Sequence, residues 1–345
     1  FKNTFIKKDN VSFDGKKIFL LNKVIKINKN FNWDSLNYDK LTRYNLHYFD
    51  YINSNIHTDY KEHSIDIIKN WLENNSFINN IGWDSYPTSM RIINWIKFSL
   101  LHNYFDYKFI KSLFIQMIWL SQRVEYHLQG NHLITNAKAL IFGGLFFNGK
   151  KSNEIFKYGI KIFEHEIEKQ ILNDGGHYER STMYHAIILE DILDILQLLK
   201  IYKNKNKLFE RKLIAVSKKM IIWLSNMSHN DNKISFFNDS TLGIANNINA
   251  LRKYSKIVTK NHIRSSSEKV VLFKESGFLT FKNKYAKLIA SVGGIHSKEQ
   301  PGHSHGDNLS FELSLLGKRL IVNSGISTYS YNEDRVLQRS AISHN

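Results

Sequence analysis

The period of the hydrophobic repeat changes once along this chain, and that change constrains the fold more than any other feature. From about Glu62 to Met227 the runs IDIIKNWL, MRIINWIKFSLL, FIKSLFIQMIWLSQRV, LITNAKALIFGGLFF, EIFKYGIKIFEHEIEKQI, YHAIILEDILDILQLLKIY and LIAVSKKMIIWLSNM place apolar residues at i, i+3, i+4 and i+7. Helices in succession, joined by short polar turns, describe an all-α region. After Asn230 the runs are short and rich in Val, Ile, Leu and Phe, bounded by Gly, Asn, Asp and Lys: Ile234–Phe237, Val270–Phe273, Phe278–Phe281, Leu288–Ser291, Leu309–Leu315 and Arg319–Val322. A run of helices followed by a run of strands predicts two segregated domains. The polar stretch His229–Lys269 reads as the hinge region, with one short strand inside it.

The expected organisation is an aromatic-rich, irregular segment over residues 1–60, a helical domain over 61–229 and a β domain beginning at 230 and reaching 345. Within the first segment, Val11–Ile27 predicts a short hairpin turning at Asp14-Gly15. The strand-rich block stops soon after it starts, so the β domain is expected to be truncated or very small. No internal sequence repeat is visible.

Composition narrows the function classes. A length of 345 residues suits two cores, and 42% hydrophobic with 13% aromatic content excludes a disordered chain. The absence of cysteine removes disulfides, thiolate nucleophiles and Cys-based metal centres. No membrane span is expected: the nearest candidate, Phe109–Leu120, is broken by Lys111 and Gln116. Residue 1 is Phe, consistent with a leader removed or omitted. Lys and Arg number 48 against 31 acidic residues, a net charge of +17. Such a surface draws a polyanion, or reflects a Lys- and Asn-rich composition with lysines scattered on solvated faces. The lysines form no dense block and no nucleic-acid motif appears, so nucleic acid is not the expected partner.

Three clusters stand apart from a core-plus-surface reading: Gly130-Asn131-His132 opening a helix; the turn from Asp174 through Gly175, Gly176, His177, Tyr178, Glu179 and Arg180 to Ser181, running into Tyr184-His185; and His303-Ser304-His305-Gly306-Asp307. Each residue has an ordinary reading: Asn131 as a helix N-cap, His132 as a packed imidazole, Gly175 and Gly176 as turn formers, Tyr184 as a helix aromatic. On a strand, His303, His305 and Asp307 would share one face, an arrangement suited to a divalent cation or to splitting a ligand role from a catalytic one.

Asn, His and Tyr without cysteine or a carboxylate pair suit β-elimination on a uronic acid. The C5 proton beside a carboxylate is weakly acidic, and the carboxylate must be neutralised before enolate-like charge can develop; an amide such as Asn131 with a cationic neighbour does this. A Tyr or His then abstracts the proton, and a Tyr hydroxyl protonates the leaving glycosidic oxygen.

In their order and spacing the motifs resemble the heparinase II/III-like polysaccharide lyases and the related oligoalginate lyases. They are Arg43-Tyr44-Asn45-Leu46-His47-Tyr48-Phe49, the block from Trp83 to Trp95 that contains Tyr86 and Arg91, Gly130-Asn131-His132, the Gly-Gly-His-Tyr-Glu-Arg-Ser turn with Tyr184-His185, His303-x-His305-x-Asp307, Asn323-Ser324-Gly325, and Arg339-Ser340 with His344-Asn345. The resemblance implies an incomplete (α/α) toroid followed by an antiparallel β-sandwich domain, with the substrate cleft between them and no organic cofactor. It assigns Asn131 to carboxylate neutralisation, His132 to the neighbouring active-site position, Tyr184 to the catalytic acid, which is also the base in some members, and His303 to the active-site His. Tyr329 or Tyr331 matches a second active-site Tyr. Tyr86, Arg91, Glu179 and Arg339 are expected to bind substrate. His305, Asn323 and His344 match the ligands of a structural zinc, with Asn323 standing where Asp is usual; a neutral amide is the poorer ligand.

The expected activity is therefore a lyase acting on a uronate-containing acidic polysaccharide, in a periplasmic or secreted setting; oligomeric state is not legible. Two alternatives stand beside it. A glycoside hydrolase would need two carboxylates roughly 5–9.5 Å apart, for which Glu179, Glu190 and Asp174 are candidates. A glycan-binding or surface-polysaccharide biosynthesis accessory protein would lack turnover.

Overall fold

A computed structural model describes residues 5–54, 61–75, 77–78, 80–203, 206–261, 263, 268–293, 301–330 and 332–345. The chain divides into two compact units, Phe1–Glu166 and Ile167–Asn345.

The first unit opens with a three-stranded antiparallel sheet, β1 (Ser12–Phe13), β2 (Lys17–Leu20) and β3 (Lys23–Lys26), in that order. The expected turn at Asp14-Gly15 is present: the Asp14 carboxylate accepts the N–H groups of Lys16 at 2.9 Å and Lys17 at 2.6 Å, which lowers its pKa. A second turn follows at Leu21-Asn22, both with positive φ (48° and 59°), the conformation that matches strand twist in a two-residue hairpin loop. Alternation buries Ile18, Leu20 and Ile25 and leaves the lysines outside.

Helices α1 (Lys40–Tyr48), α2 (Lys61–Asn74), α3 (Ser85–His102), α4 (Tyr107–Ser121), α5 (Gly130–Phe146) and α6 (Lys150–Gln170) follow; the last runs across the division into the second unit. Helix α1 lies inside the segment expected to be irregular, started by Asp39, whose carboxylate accepts Thr42 N–H at 2.8 Å, and ended by Phe49 in the left-handed region. α3 and α5 are buried around most of their circumference. The first encloses Ile92, Ile93, Trp95, Ile96 and Phe98; the second encloses Leu133, Ile134, Ala137, Ala139, Leu140, Ile141 and Phe142. α2 and α4 bury one stripe. Trp33, Trp71, Trp95, Phe49, Phe98 and Phe109 are among the largest buried side chains of this core.

The second unit holds α7 (Thr182–Ile201), α8 (Lys207–Asn226) and α9 (Ile248–Thr259). An antiparallel sheet follows, of β4 (Val270–Phe273), β5 (Phe278–Lys282), β6 (Ala286–Ser291), β7 (Phe311–Leu315) and β8 (Lys318–Ile321), and then the short α10 (Glu333–Arg339). The helices-then-strands order is as expected. Within the stretch read as a hinge, however, the structure has α9, capped by Asn247, and Ile234 makes only an isolated bridge to Ser228.

One face of the sheet is buried and largely polar, with Thr280, Lys287, Ser291, Glu312 and Ser314; the other shows Val270, Leu272 and Leu315 to solvent. The charged groups on the buried face are partnered. His229 shares hydrogen bonds of 2.6 Å with Glu312 and with Ser314, while Lys287 donates to the carbonyls of Ser225 and Ser228 at the end of α8. Burial pushes the Lys287 ammonium down to about 8. At the β5 entrance Gly277, with φ of 76°, backs onto Gly293: a Cβ on Gly277 would meet the Gly293 Cα at 2.6 Å and the Arg180 guanidinium at 3.3 Å.

Candidate active site

In the first unit, α5 begins at Gly130 with Gln129 as its N-cap, so Asn131 stands within the first turn and is not the cap. Its amide makes no hydrogen bond among the described residues. His132 lies beside it, with Nδ1 3.3 Å from a Glu125 carboxylate oxygen and its ring 4.4 Å from that of Tyr86. Asn136, one turn further along α5, anchors this corner: it donates to Ser89 at 3.0 Å and to Glu125 at 3.1 Å, and accepts the Glu125 N–H at 2.9 Å. Asn131, His132 and Tyr86 thus form one polar group at the α5 N-terminus.

Arg91, expected to bind substrate, is instead a core residue with no exposed surface. Its guanidinium donates to Gln116 Oε1 and to the Gly82 carbonyl, both at 2.8 Å, and lies 4.0 Å over the Trp71 ring. Burial works against its charge. No carboxylate contacts it among the described residues; carbonyl dipoles and the negative face of an indole take that part.

In the second unit the turn from Asp174 to Ser181 leads into α7. Ser181 caps that helix by accepting Tyr184 N–H at 3.1 Å. Tyr184, one turn in, shares a hydrogen bond of 2.9 Å with the Tyr329 hydroxyl, and its ring stacks on His303 at 4.1 Å and 10°. Desolvation holds both phenols above the ordinary tyrosine value. For Tyr329 the Asp239 charge adds to that rise, while the hydrogen bond from Tyr184 and the Arg335 charge work against it. Tyr331, the other candidate for this position, lies outside the described residues.

His303 ends a short 3-10 turn, Pro301–His303, and not a strand, so the expected shared face of His303, His305 and Asp307 is not formed. Each finds its own partner: His303 Nδ1 is 2.6 Å from Glu179, His305 Nε2 is 2.7 Å from Asp239, and Asp307 accepts the Asn238 N–H at 3.1 Å. Glu179, expected at the substrate, has a fully buried side chain. Its carboxyl is raised by burial but held below the ordinary value on balance by the His303 hydrogen bond and the nearby His177. Arg339 donates to the carbonyls of Ser304 at 2.9 Å and Pro301 at 3.0 Å, bracing the loop that carries His303.

Two residues central to this arrangement are absent from the sequence-based expectations. Asp239 is buried and takes both Arg335 nitrogens at 2.6 and 2.7 Å besides His305; these bonds outweigh burial and keep its carboxyl low. Arg335 in turn lies 5.2 Å from the Tyr329 ring. The neighbouring Asn238 donates to the Arg180 carbonyl and accepts the His305 N–H, joining the two motif segments. The Asn323-Ser324-Gly325 turn packs against the same loop; Gly325 has φ of 63°, and any Cβ there would strike the Ser240 carbonyl.

Among the described residues no three His, Cys, Asp or Glu side chains are placed to hold a metal ion. The expected zinc set is two imidazoles and an amide. His305 Nδ1 and His344 Nε2 are buried without hydrogen-bond partners, which suits ligands, and the Asp239 bond to the far nitrogen of His305 is a usual orienting contact. Asn323 Oδ1 lies 2.5 Å from His344 Nδ1 and also accepts the Ser324 N–H at 2.9 Å. The two unpartnered imidazole nitrogens would suit a divalent cation, but Asn323 Oδ1 sits on the opposite nitrogen of His344, so the expected set of two imidazoles and an amide is not assembled around one point.

The candidate hydrolase carboxylates are each committed elsewhere. Glu179 is held on His303, Glu190 accepts from Asn246 at 2.9 Å, and Asp174 accepts from Ser276 N–H and Oγ at 2.8 and 2.9 Å. No helix of the described residues is long and apolar enough to cross a membrane.

Residues 9–263 match the family described as Heparinase II/III N-terminus, and residues 266–345 match Heparinase II/III-like, C-terminal. A heparin-sulfate lyase of Bacteroides stercoris is 29% identical over 62% of this chain and 34% of its own length. One from Bacteroides thetaiotaomicron is 25% identical over 77% of this chain and 44% of its own. The chain therefore spans less than half the length of these curated relatives. Among solved structures, a heparinase III superposes with a TM-score of 0.71 at 20% identity, covering 94% of this chain and 57% of that one. This likeness extends to the fold class, a helical toroid followed by an antiparallel β-sandwich, of which the described residues form one five-stranded sheet. By these matches over nearly its whole length, the chain belongs to the heparinase II/III family.

Proposed function

We propose that this protein is a polysaccharide lyase that cleaves a uronate-containing acidic glycan by β-elimination. The observation that carries the reading is the Tyr184–Tyr329 hydroxyl pair at 2.9 Å with His303 stacked beside it. Neutralisation of the uronate carboxylate, against the negative charge that develops as C5 loses its proton, is the role that the family motif implies for the Asn131 amide with His132. His303, through Nε2, accepts that proton; the C5–H electron pair forms the C4–C5 double bond as the C4–O bond breaks, and the Tyr184 hydroxyl protonates the leaving oxygen, with Tyr329 hydrogen-bonded behind it. The hydrogen bond from Tyr184 and the Arg335 charge partly offset the rise that burial and the Asp239 charge impose on the Tyr329 phenol.

The related proteins named as heparin-sulfate lyases and the net charge of +17 support a sulfated, uronate-containing polymer as substrate; a periplasmic or secreted location is part of the same proposal. A divalent cation such as zinc would be held by His305 and His344 and would brace the loops around His303, supplying no step of the reaction.

The test is ultraviolet absorbance of the new C4–C5 double bond on a panel of heparan sulfate, other uronate polysaccharides and alginate, with Tyr184→Phe as control. Absorbance that rises on one polymer and falls by about 100-fold or more in Tyr184→Phe is expected. Silence across the panel from the folded protein, or full turnover by Tyr184→Phe, overturns the reading. Products without a double bond would favour hydrolysis.

A further inference from the structure

We propose that Glu179 is a positioning residue for His303, holding the ring proton on Nδ1 and leaving Nε2 as the nitrogen offered to substrate. This deepens the lyase reading and rests on it for the role of His303.

The argument starts from how poorly Glu179 is otherwise provided for. Its side chain has no exposed surface, Oε2 lies 2.6 Å from His303 Nδ1, and Oε1 is buried with no hydrogen-bond partner. A buried carboxylate with one oxygen unmet is costly, and a structural role would be served better by an amide or an apolar side chain of the same shape. What an ionised carboxylate does that these cannot is accept strongly from one nitrogen of an imidazole and so fix both its tautomer and its rotation.

The backbone keeps Glu179 in place. Asp174 Oδ1 accepts the Gly176 N–H at 3.0 Å, Tyr178 N–H bonds to the Gln170 carbonyl at 2.8 Å, and Arg180 N–H to the His177 carbonyl at 2.9 Å. The Arg180 carbonyl is tied in turn by Asn238. His303 is the member of the pair that meets solvent, its side chain 20% exposed, and its Nε2 makes no hydrogen bond among the described residues. Because the imidazole stacks at 4.1 Å on Tyr184, fixing its rotation also fixes the wall against which the Tyr184 ring lies. The chain of contact is therefore carboxylate, imidazole, phenol, second phenol.

The experiment compares the full chain with Glu179→Leu and Glu179→Gln by nitrogen NMR of histidine-labelled protein, in alkaline buffer where imidazoles are neutral. His303→Asn identifies the His303 signals. In the unsubstituted protein the proton is expected on Nδ1, with a pyridine-like Nε2. Glu179→Leu is expected to release the ring to the Nε2–H form that free imidazole prefers, and Glu179→Gln, whose carbonyl can still accept, to retain the Nδ1–H form. On the polymer that the protein cleaves, kcat should fall about 100- to 10,000-fold in Glu179→Leu, the upper end being the loss seen when the orienting carboxylate of another catalytic His is removed, with less loss in Glu179→Gln and KM within about threefold. A proton on Nε2 in the unsubstituted protein, or an unchanged tautomer in folded Glu179→Leu, overturns the proposal. If no polymer is cleaved by any variant, the lyase reading fails while the tautomer still decides whether Glu179 positions His303.

Discussion

Replacing Asp239 by Asn should cost the second unit more than any other single isosteric change near the site. The carboxylate is fully buried and takes three donors, two from Arg335 at 2.6 and 2.7 Å and one from His305 at 2.7 Å. Arg335 itself is only 8% exposed, so solvent can take up little of the charge left behind. An Asn side chain keeps one acceptor and turns the other position into a donor aimed at a donor. With the amide oxygen at the Oδ1 position, which takes two of the donors, one charge-assisted hydrogen bond is lost outright, at about 1.5–3 kcal/mol, and the others lose the charge of their acceptor, together roughly the 3–5 kcal/mol for breaking a buried pair on one side. At about 2–4 °C per kcal/mol for a unit of this size, the thermal midpoint should fall by roughly 6–20 °C. The assay is thermal and urea unfolding of the full chain, with Arg335→Met and the Asp239→Asn/Arg335→Met double variant completing a cycle. The double variant should be destabilised by less than the sum of the singles, by about 2 kcal/mol or more, because the second change removes the stranded charge. Singles that add to within about 0.5 kcal/mol, or a shift under about 2 °C for Asp239→Asn, would refute the reasoning.

Acid should weaken the second unit before its carboxylates titrate. Burial holds His177 down to about 4 and His185 to about 3, against an ordinary value of 6.5, so both are neutral in the folded state. Below about 6.5 the unfolded chain binds protons that the folded one does not; stability is complete above that pH and is lost as pH falls toward the folded values, by about 2–3 kcal/mol for each group at two pH units below the ordinary value. A urea midpoint unchanged across that window would count against it.

The long helices are legible because their apolar spacing is sustained over several turns, as in α3, α5 and α7. Helix α1 has nine residues and a weak pattern among aromatic loops, and α9 carries its apolar positions, Ile248, Leu251, Tyr254 and Val258, on a Lys-rich background inside a polar stretch. The Asn247 cap is the local signal for it. Tyr184, His303 and Tyr329 stand out by motif order, and they are adjacent in space. Burial is not legible: Arg91 and Glu179 are charged residues in motifs, and nothing local distinguishes a binding arginine from one enclosed by indole rings. Asp239 and Arg335 meet across 96 positions of sequence, a contact that only the packing of the loop beside α7 creates.

Gly277 and Gly293 form a lock with two keyholes. A side chain on Gly277 would strike the Gly293 Cα, and one on Gly293 would strike the Gly277 Cα at 2.5 Å, so neither position can drift first and no change at one makes room at the other. Arg180 lies 3.3 Å from where either Cβ would stand, and the residue before Arg180 is Glu179. A methyl group added at the mouth of β5 would therefore press on the side chain of the residue that directly follows the partner of His303.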